Sequence, residues 1–429
     1  MREQRGEKRL QRSISRLCAI VFVVFCFSFI AVYQSPLLEA LYDKVATGKL
    51  IYNEYVVAVT VTTLLLLLAL WLNRYAKFQR EWTAMAYLPS SLLLAFITDI
   101  DASIYTGGKS LHPWALTLAT GILVYIISAF LLQKVLFAKI KNIHMEGNRI
   151  LWRNLLLFTV LFCVTGALSN GNDNLKHEAA AYSHYKRGDI DAALNVARRS
   201  TNASHELTAA RAFYLSQQGK LGEALFEYPQ YYGAEGLLPK LSQTSPLSPD
   251  TVYAAIGVQR KSDEDALAYL RRVIELDSVP SKKVADYYLC ALLLEKKIEE
   301  FVSELPRFYQ LAEDNYLPRH YKEALLYYST VLKDYDLPFK SDTLRTKFLL
   351  LGMFGWKYDK ELPQHYRDAI RDYAMPAGGE ELLLNMDTLK QEYQRMVKLE
   401  AEHPEYHVRS NYIRRYFGKT FWWYFIYGE

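Results

Sequence analysis

Apolar positions fall into two regimes along the chain. Up to residue 168 they form long runs, Leu17 to Tyr33, Tyr55 to Leu72, Trp82 to Thr98, Trp114 to Leu132 and Ile150 to Leu168; from Asn174 onward they recur at helical spacing among polar residues. A bilayer core is about 30 Å thick and a helix rises about 1.5 Å per residue, so a spanning helix takes roughly 20 mostly apolar residues. Four runs meet this length, while Trp82–Thr98 is weaker, interrupted by Pro89, Ser90 and Ser91. The pattern predicts an all-α protein: a basic cytoplasmic tail over residues 1–16, a five-helix transmembrane bundle over 17–168 (about 17–33, 55–72, 82–98, 114–132 and 150–168), and a soluble helical domain over 174–429.

Lysine and arginine set the expected orientation, because loops rich in them stay cytoplasmic. Arg2, Arg5, Lys8, Arg9, Arg12 and Arg16 crowd the first tail, whereas Lys44 and Lys49 in the next loop are offset by Glu39, Asp43 and Glu54. Arg74, Lys77 and Arg80 follow; then Lys109 stands against Asp99 and Asp101; then come Lys134, Lys139, Lys141, Arg149 and Arg153. Inside, outside, inside, outside, inside is the order that fits, and an odd number of spans places the tail domain outside, in the periplasm of a Gram-negative cell. Dropping Trp82–Thr98 alone would return the tail to the cytoplasm and set the basic fourth loop against the charge rule. A cleaved signal peptide is disfavoured at Leu17–Tyr33, because no A-x-A-like site follows.

Composition adds little to this. The net charge of +5 is largely the basic first tail, and no basic stripe interleaved with aromatics appears in the soluble domain, so nucleic acid is not an expected partner. Cys18, Cys26 and Cys163 fall in expected spans, which leaves Cys290 alone in the soluble part with no partner for an internal disulfide.

Two segments of the soluble domain repeat a helix, a glycine turn and a second helix. "AAAYSHYKRGDIDAALNVARRS" places Gly188 in the turn and Ala193 after it; "RAFYLSQQGKLGEALFEYP" does the same with Gly219 and Ala224, offset by 31 residues. These resemble tetratricopeptide (TPR) repeats, in which glycine permits the tight turn and alanine the close approach of two helices. "DALAYLRRVIELDSVP" resembles the second helix of a third unit, with Ala266, Leu270 and Val273 on its packing face, Pro280 ending it, and Lys261 where the turn glycine would stand. The resemblance covers roughly Lys176 to Ser278. Degenerate helices are expected near Ser281–Lys297, Leu317–Leu332, Asp342–Phe354 and Lys360–Tyr373. The aromatic run Phe421–Tyr427 has three placements: closing the solenoid, docking on the membrane domain, or lying in the headgroup layer beside Arg414, Arg415 and Lys419.

In TPR domains the first helix of each hairpin lines a concave surface that holds a peptide or partner segment. The resemblance therefore implies a groove of Glu178, Tyr182, Tyr185 and Lys186, then Phe213, Ser216 and Gln217, then Thr251 and Gln259. Against this stands the reading of the tyrosines as packing residues. The loop "FITDIDASIYTGGKSLHPW" offers a catalytic alternative, in which Asp99 or Asp101, with His112 nearby, would serve an envelope glycan or lipid-linked transferase by taking an acceptor proton or holding a cation. No phosphate loop, zinc motif, nucleophile elbow or paired CxxC occurs, and no metal or cofactor is expected. The combination of a multi-span region and a TPR-like tail resembles an uncharacterised family of bacterial inner-membrane proteins of unknown function. The expected role is that of a membrane-anchored periplasmic scaffold without catalysis, with a periplasmic or inner-membrane protein or peptide, and membrane lipid, as partners.

Overall fold

The computed structural model describes residues 2–46, 52–76, 80–106, 121–122, 125, 147–198, 200, 202–241, 245–276, 280–309, 317–328 and 379–428. His112, nearly all of Trp114–Leu132 and the helices expected at Asp342–Phe354 and Lys360–Tyr373 lie outside the described residues. All regular structure among the described residues is helical. The chain divides into two compact units, Met1–Ser183 and His184–Glu429.

In the first unit, α1 (Arg2–Ser28) continues into a π-helical turn, Phe29–Tyr33, and α2 (Ser35–Val45) carries Pro36 in its first turn. The carboxamide of Asn53 accepts the N–H groups of Tyr55 and Val56, both at 3.1 Å, and so caps the start of α3 (Glu54–Ala76). A 3-10 stretch, Arg80–Tyr87, kinked at Trp82, leads into α4 (Leu88–Thr98), which has Pro89 in its first turn; α5 (Ser103–Thr106) and α6 (Gly147–Leu168) complete the unit with most of α7 (Asp173–Lys186).

Three helices among the described residues are long and apolar enough to cross a bilayer: Arg12–Tyr33, Glu54–Tyr75 and Arg149–Leu168. This corrects the expected five. Trp82–Thr98 is a shorter apolar element. Its α-helical part, Leu88–Thr98, is 11 residues long, and at about 1.5 Å per residue rises only about half the hydrocarbon thickness.

Each long helix turns a narrow stripe inward and leaves the rest apolar and exposed. Ile14, Cys18, Phe22 and Cys26 are buried on α1, Ala58, Leu65 and Ala69 on α3, and Ile150, Phe158 and Leu161 on α6; Ile20, Val24, Leu64, Leu67, Trp152 and Leu156 point outward. A soluble protein rarely exposes so much apolar surface, and a lipid-facing one does so throughout. The interior carries polar side chains that serve the backbone. Asn154 accepts the Ala84 N–H at 2.9 Å and donates to the Ile150 carbonyl at 2.9 Å, and the Ser90 hydroxyl donates to the Leu65 carbonyl at 2.9 Å.

The 3-10/α4 segment runs beside α6 in the same direction. Ala84 meets Asn154, the Ser91 carbonyl accepts from Thr165 at 3.4 Å, and the Thr98 carbonyl accepts from the Asn170 N–H at 3.4 Å. Aromatic contacts tie in α1: Phe22 to Tyr87 at 4.8 Å, Tyr87 to Phe158 at 5.2 Å, and Phe25 stacked on Phe162 at 3.7 Å between centroids.

The second unit is built from helical hairpins. The last residues of α7 join α8 (Ile190–Asn195), α9 (His205–Gln217) joins α10 (Leu221–Ala224), and α13 (Lys282–Leu294) joins α14 (Ile298–Phe308); between them lie α11 (Pro249–Ile256) and α12 (Ala266–Leu276). α15 (Arg319–Tyr327), α16 (Gly379–Glu402), α17 (Tyr406–Phe417) and α18 (Phe421–Tyr427) follow. Every residue of α13 from Val284 to Leu294 is buried, as expected of a helix packed on all sides. It lies against α9, α10, α12, α14 and the short 3-10 helix Gly233–Leu237.

Tyrosine does much of the stapling here. The hydroxyls of Tyr232, Tyr253, Tyr269 and Tyr424 donate to the carbonyls of Ala203, Pro239, Val258 and Leu294 at 3.0, 2.8, 2.5 and 2.7 Å. A large apolar ring fills the core while its one polar atom satisfies a loop or helix-end carbonyl. The aromatic run at the end of the sequence is buried within this unit: Phe421, Trp422, Tyr424 and Tyr427 are all covered.

Candidate functional site

The three hairpins close on the same backbone turn. At the first, Gly188 (φ +82°) donates to the Tyr185 carbonyl at 2.9 Å and Asp189 to that of His184 at 3.0 Å. At the second, Gly219 (φ +67°) donates to Ser216 at 3.0 Å and Lys220 to Leu215 at 2.9 Å. At the third, Lys296 (φ +56°) donates to Leu293 at 3.1 Å and Lys297 to Leu292 at 2.9 Å. This is the Schellman arrangement, with a left-handed residue just past the helix end. In each, the next helix begins at once, as Ala193, Ala224 and Phe301 donate to Asp189, Lys220 and Lys297 at 3.1, 3.0 and 3.0 Å. Ala193 and Ala224 are thus in equivalent places, and Phe301 is the position the glycine-alanine spacing did not reveal. The turn after α11 falls at Gly257 (φ +96°) rather than Lys261, with Gly257 donating to the Tyr253 carbonyl at 2.9 Å.

The implied groove residues divide by exposure. Lys186, Thr251 and Gln259 are exposed, and Tyr182, Tyr185 and Gln217 are half-buried. Glu178, Phe213 and Ser216 are buried. α9 explains the buried pair: from His205 to Ser216 every residue is covered, so Phe213 and Ser216 face the core and not an open surface. The Tyr185 ring stacks on Tyr214 at 4.7 Å and meets Phe213 edge-on at 5.8 Å, which makes it a packing residue at the margin of that core. Gln217 accepts from the ammonium of Lys283 at 3.2 Å.

The carboxylates Asp99 and Asp101 have local tasks. Asp101 Oδ1 accepts the Ser103 N–H at 2.9 Å and the Ser103 hydroxyl as well, which caps the single turn of α5. Asp99 ends α4, its N–H donating to the Phe96 carbonyl at 3.4 Å. Asn170 gathers the surrounding chain ends: its carboxamide donates to Ile100, and its carbonyl accepts from Gln34 at 3.1 Å. The arrangement is a backbone junction. No group of three or more His, Cys, Asp or Glu among the described residues could hold a metal ion.

The titratable groups that sequence reasoning missed lie in the interior of the second unit. Glu323 is fully covered and faces His320 Nδ1 at 2.9 Å and Arg319 Nε at 2.9 Å, and it accepts the Phe421 N–H at 2.7 Å. His320 Nε2 in turn accepts the Phe226 N–H at 3.3 Å, which places the ring proton on Nδ1, toward the carboxylate. The Trp422 indole donates to the Glu323 carbonyl at 2.7 Å. Burial works to raise the Glu323 pKa, but His320, Arg319 and the Phe421 amide outweigh it and hold the carboxyl below its usual range. Asp286 accepts from the hydroxyls of Tyr309 at 2.6 Å and Tyr321 at 2.9 Å, yet burial dominates and its pKa is raised.

Cys290, beside Tyr321, has its thiol pushed up by burial and is no nucleophile. Arg211 is buried under Tyr228, 5.2 Å from the ring, and gives one hydrogen bond, to the Val196 carbonyl at 2.7 Å; burial pulls its pKa down to about 10. No sequence signal marked these groups: Arg319 and His320 are near neighbours of Glu323, but Phe421 is 98 residues away and the tyrosine partners of Asp286 are 23 and 35 residues away. All are enclosed, so they pin helices together rather than meet a substrate.

No solved structure matches this chain. A curated relative, the bombesin receptor subtype-3 of Ovis aries, is 31% identical over 122 residues, a stretch that is 26% of this chain and 31% of the receptor. The chain therefore spans under a third of that relative's length. A far wider match, over residues 9–270 and 258–347, is to a family of unknown function, DUF6057, and the chain belongs to that family.

Proposed function

We propose that the protein is a membrane-anchored scaffold of a bacterial inner membrane, with a TPR-like helical unit in the periplasm that binds a protein or peptide partner and performs no chemistry itself. The observation that carries this reading is the recurrence of one turn geometry in three hairpins, which is how repeat domains build an extended surface from a short unit. The enclosed carboxylates and thiol of the second unit, and the capping role of Asp101, favour binding over catalysis.

The orientation rests on the charge pattern: with the basic first tail inside and an odd number of crossings, the second unit is outside.

The partner-binding surface includes Lys186, Thr251 and Gln259, which are exposed. A photo-reactive residue placed at Lys186 or Gln259 in intact cells should capture the same discrete protein. The same residue at exposed Ala268 on α12 should not. Capture of glycan or lipid at both positions, or equal capture at all three, would overturn the scaffold reading.

A further inference from the structure

α17 is the least covered helix of the second unit's final part. Only Ile413 and Phe417 are buried, four residues apart on one side. On the other, Val408, Tyr412, Arg415 and Tyr416 are exposed at helical spacing, with exposed Lys419 just beyond the helix end and exposed Arg414 on a separate flank. The tyrosines are held in place: Tyr412 stacks on His403 at 4.2 Å and Arg415 sits 5.8 Å from the Tyr416 ring. Arg414 lies 5.5 Å from the ring of Trp423, whose helix α18 is anchored in the core. From His403 to Lys419 the charged residues are Arg409, Arg414, Arg415 and Lys419 against Glu405 alone.

We infer that this face of α17 docks on the anionic surface of the bilayer that holds the anchor, as a second and peripheral membrane contact. One argument selects a lipid surface as the occupant: tyrosine rings flanked by arginine and lysine, without a broad aliphatic face, suit the headgroup layer, where ring bodies meet acyl chains and the cations meet lipid phosphates. The candidate spanning helices of the first unit belong to the same chain, so a surface contact by α17 is intramolecular and needs little intrinsic strength. The inference does not depend on any protein partner.

The test uses the full chain reconstituted in nanodiscs of phosphatidylcholine alone or with added phosphatidylglycerol. Hydrogen exchange of the 406–417 segment is followed by mass spectrometry, with a benzophenone residue at Tyr412 to record what it touches. Docking predicts slower exchange and lipid adducts in the anionic discs. Each cation removed should lower the docked-to-undocked ratio about fivefold, so Arg415→Glu with Lys419→Glu should abolish the protection. Tyr412→Ser should weaken it without altering charge. All three side chains are exposed, and unchanged exchange of α15 and α18 verifies folding. Equal exchange in both discs, or a protein adduct that ignores lipid charge, overturns the inference.

Discussion

The two units use polar side chains in opposite ways. In the first, apolar side chains such as Ile20, Leu64 and Trp152 face outward while Asn154, Ser90 and Thr165 turn inward to backbone groups. In the second, the interior is apolar and aromatic but encloses Asp286 and Glu323, each with polar partners in the interior, and Arg211, whose guanidinium gives one hydrogen bond, to the Val196 carbonyl. The difference follows from the solvent. Lipid offers no hydrogen bonds, so a kinked element such as Arg80–Tyr87 needs neutral amides and hydroxyls from its neighbours. The second unit buries charges where hydrogen-bond partners offset the loss of hydration, most fully at Glu323.

Substitutions can break this contrast from either side. The largest effect is expected at Glu323. Glu323→Ala leaves Arg319, His320 and the Phe421 N–H without their common acceptor and should cost about 3–5 kcal/mol, read as lost hydrogen-exchange protection across α15 and α18 in the full chain. Exchange confined to the first unit would show that the pairing carries no stability.

On the membrane side, Asn154→Leu removes the acceptor for the Ala84 N–H. It should cost about 1 kcal/mol, the usual scale for such bonds in a bilayer, measured by detergent-titrated unfolding. An unchanged midpoint would mean that Ala84 finds another acceptor.

The hairpin turns should yield about 1 kcal/mol per position, with opposite signs by residue type. Gly188→Ala and Gly219→Ala place a Cβ at left-handed φ and should destabilise. Lys296→Gly should stabilise slightly, offset by the lost ammonium bond to the Gly428 carbonyl at 2.6 Å. Thermal unfolding of the full chain in detergent checks all three, and a loss at Lys296→Gly would show that this bond outweighs the backbone strain.

The smallest effect is a pH slope. Glu323, with its pKa depressed, adds stability that is complete above the ordinary carboxylate range and is lost as the pH falls through its folded value. Asp286, with its pKa raised, acts the other way: its ionisation costs the folded state as pH climbs from the ordinary value to the raised one. Asp286→Asn keeps an acceptor for both tyrosines and should flatten that second slope in acid. A profile identical to that of the unsubstituted protein would remove Asp286 from the account.

How much of this could be read in advance differs by feature. Gly188 and Gly219 were legible because a left-handed turn selects glycine, and the apolar runs were legible because bilayer thickness fixes their length. Lys296 was not, since lysine in that conformation leaves no mark in the sequence. Phe213 and Ser216, expected in the groove, are buried for a geometric reason. Periodicity identifies a packing face, but it cannot tell that α9 is covered on every side, with even His205, Glu206 and Arg211 enclosed. The capping of the turn at Ser103 by Asp101 was legible in their short spacing, which is that of a side chain capping its own turn. Glu323 and Phe421 stand 98 residues apart, a pairing no local pattern contains.

The placement of the four thiols has a practical consequence for labelling. Cys18, Cys26 and Cys290 are buried, and Cys163 is exposed on the apolar flank of α6, next to Val164, where lipid would surround it. A charged maleimide therefore meets no reactive native cysteine in the folded, bilayer-embedded protein. A fluorophore or spin label attached through one engineered surface cysteine would report from that position alone, with all four native cysteines left in place.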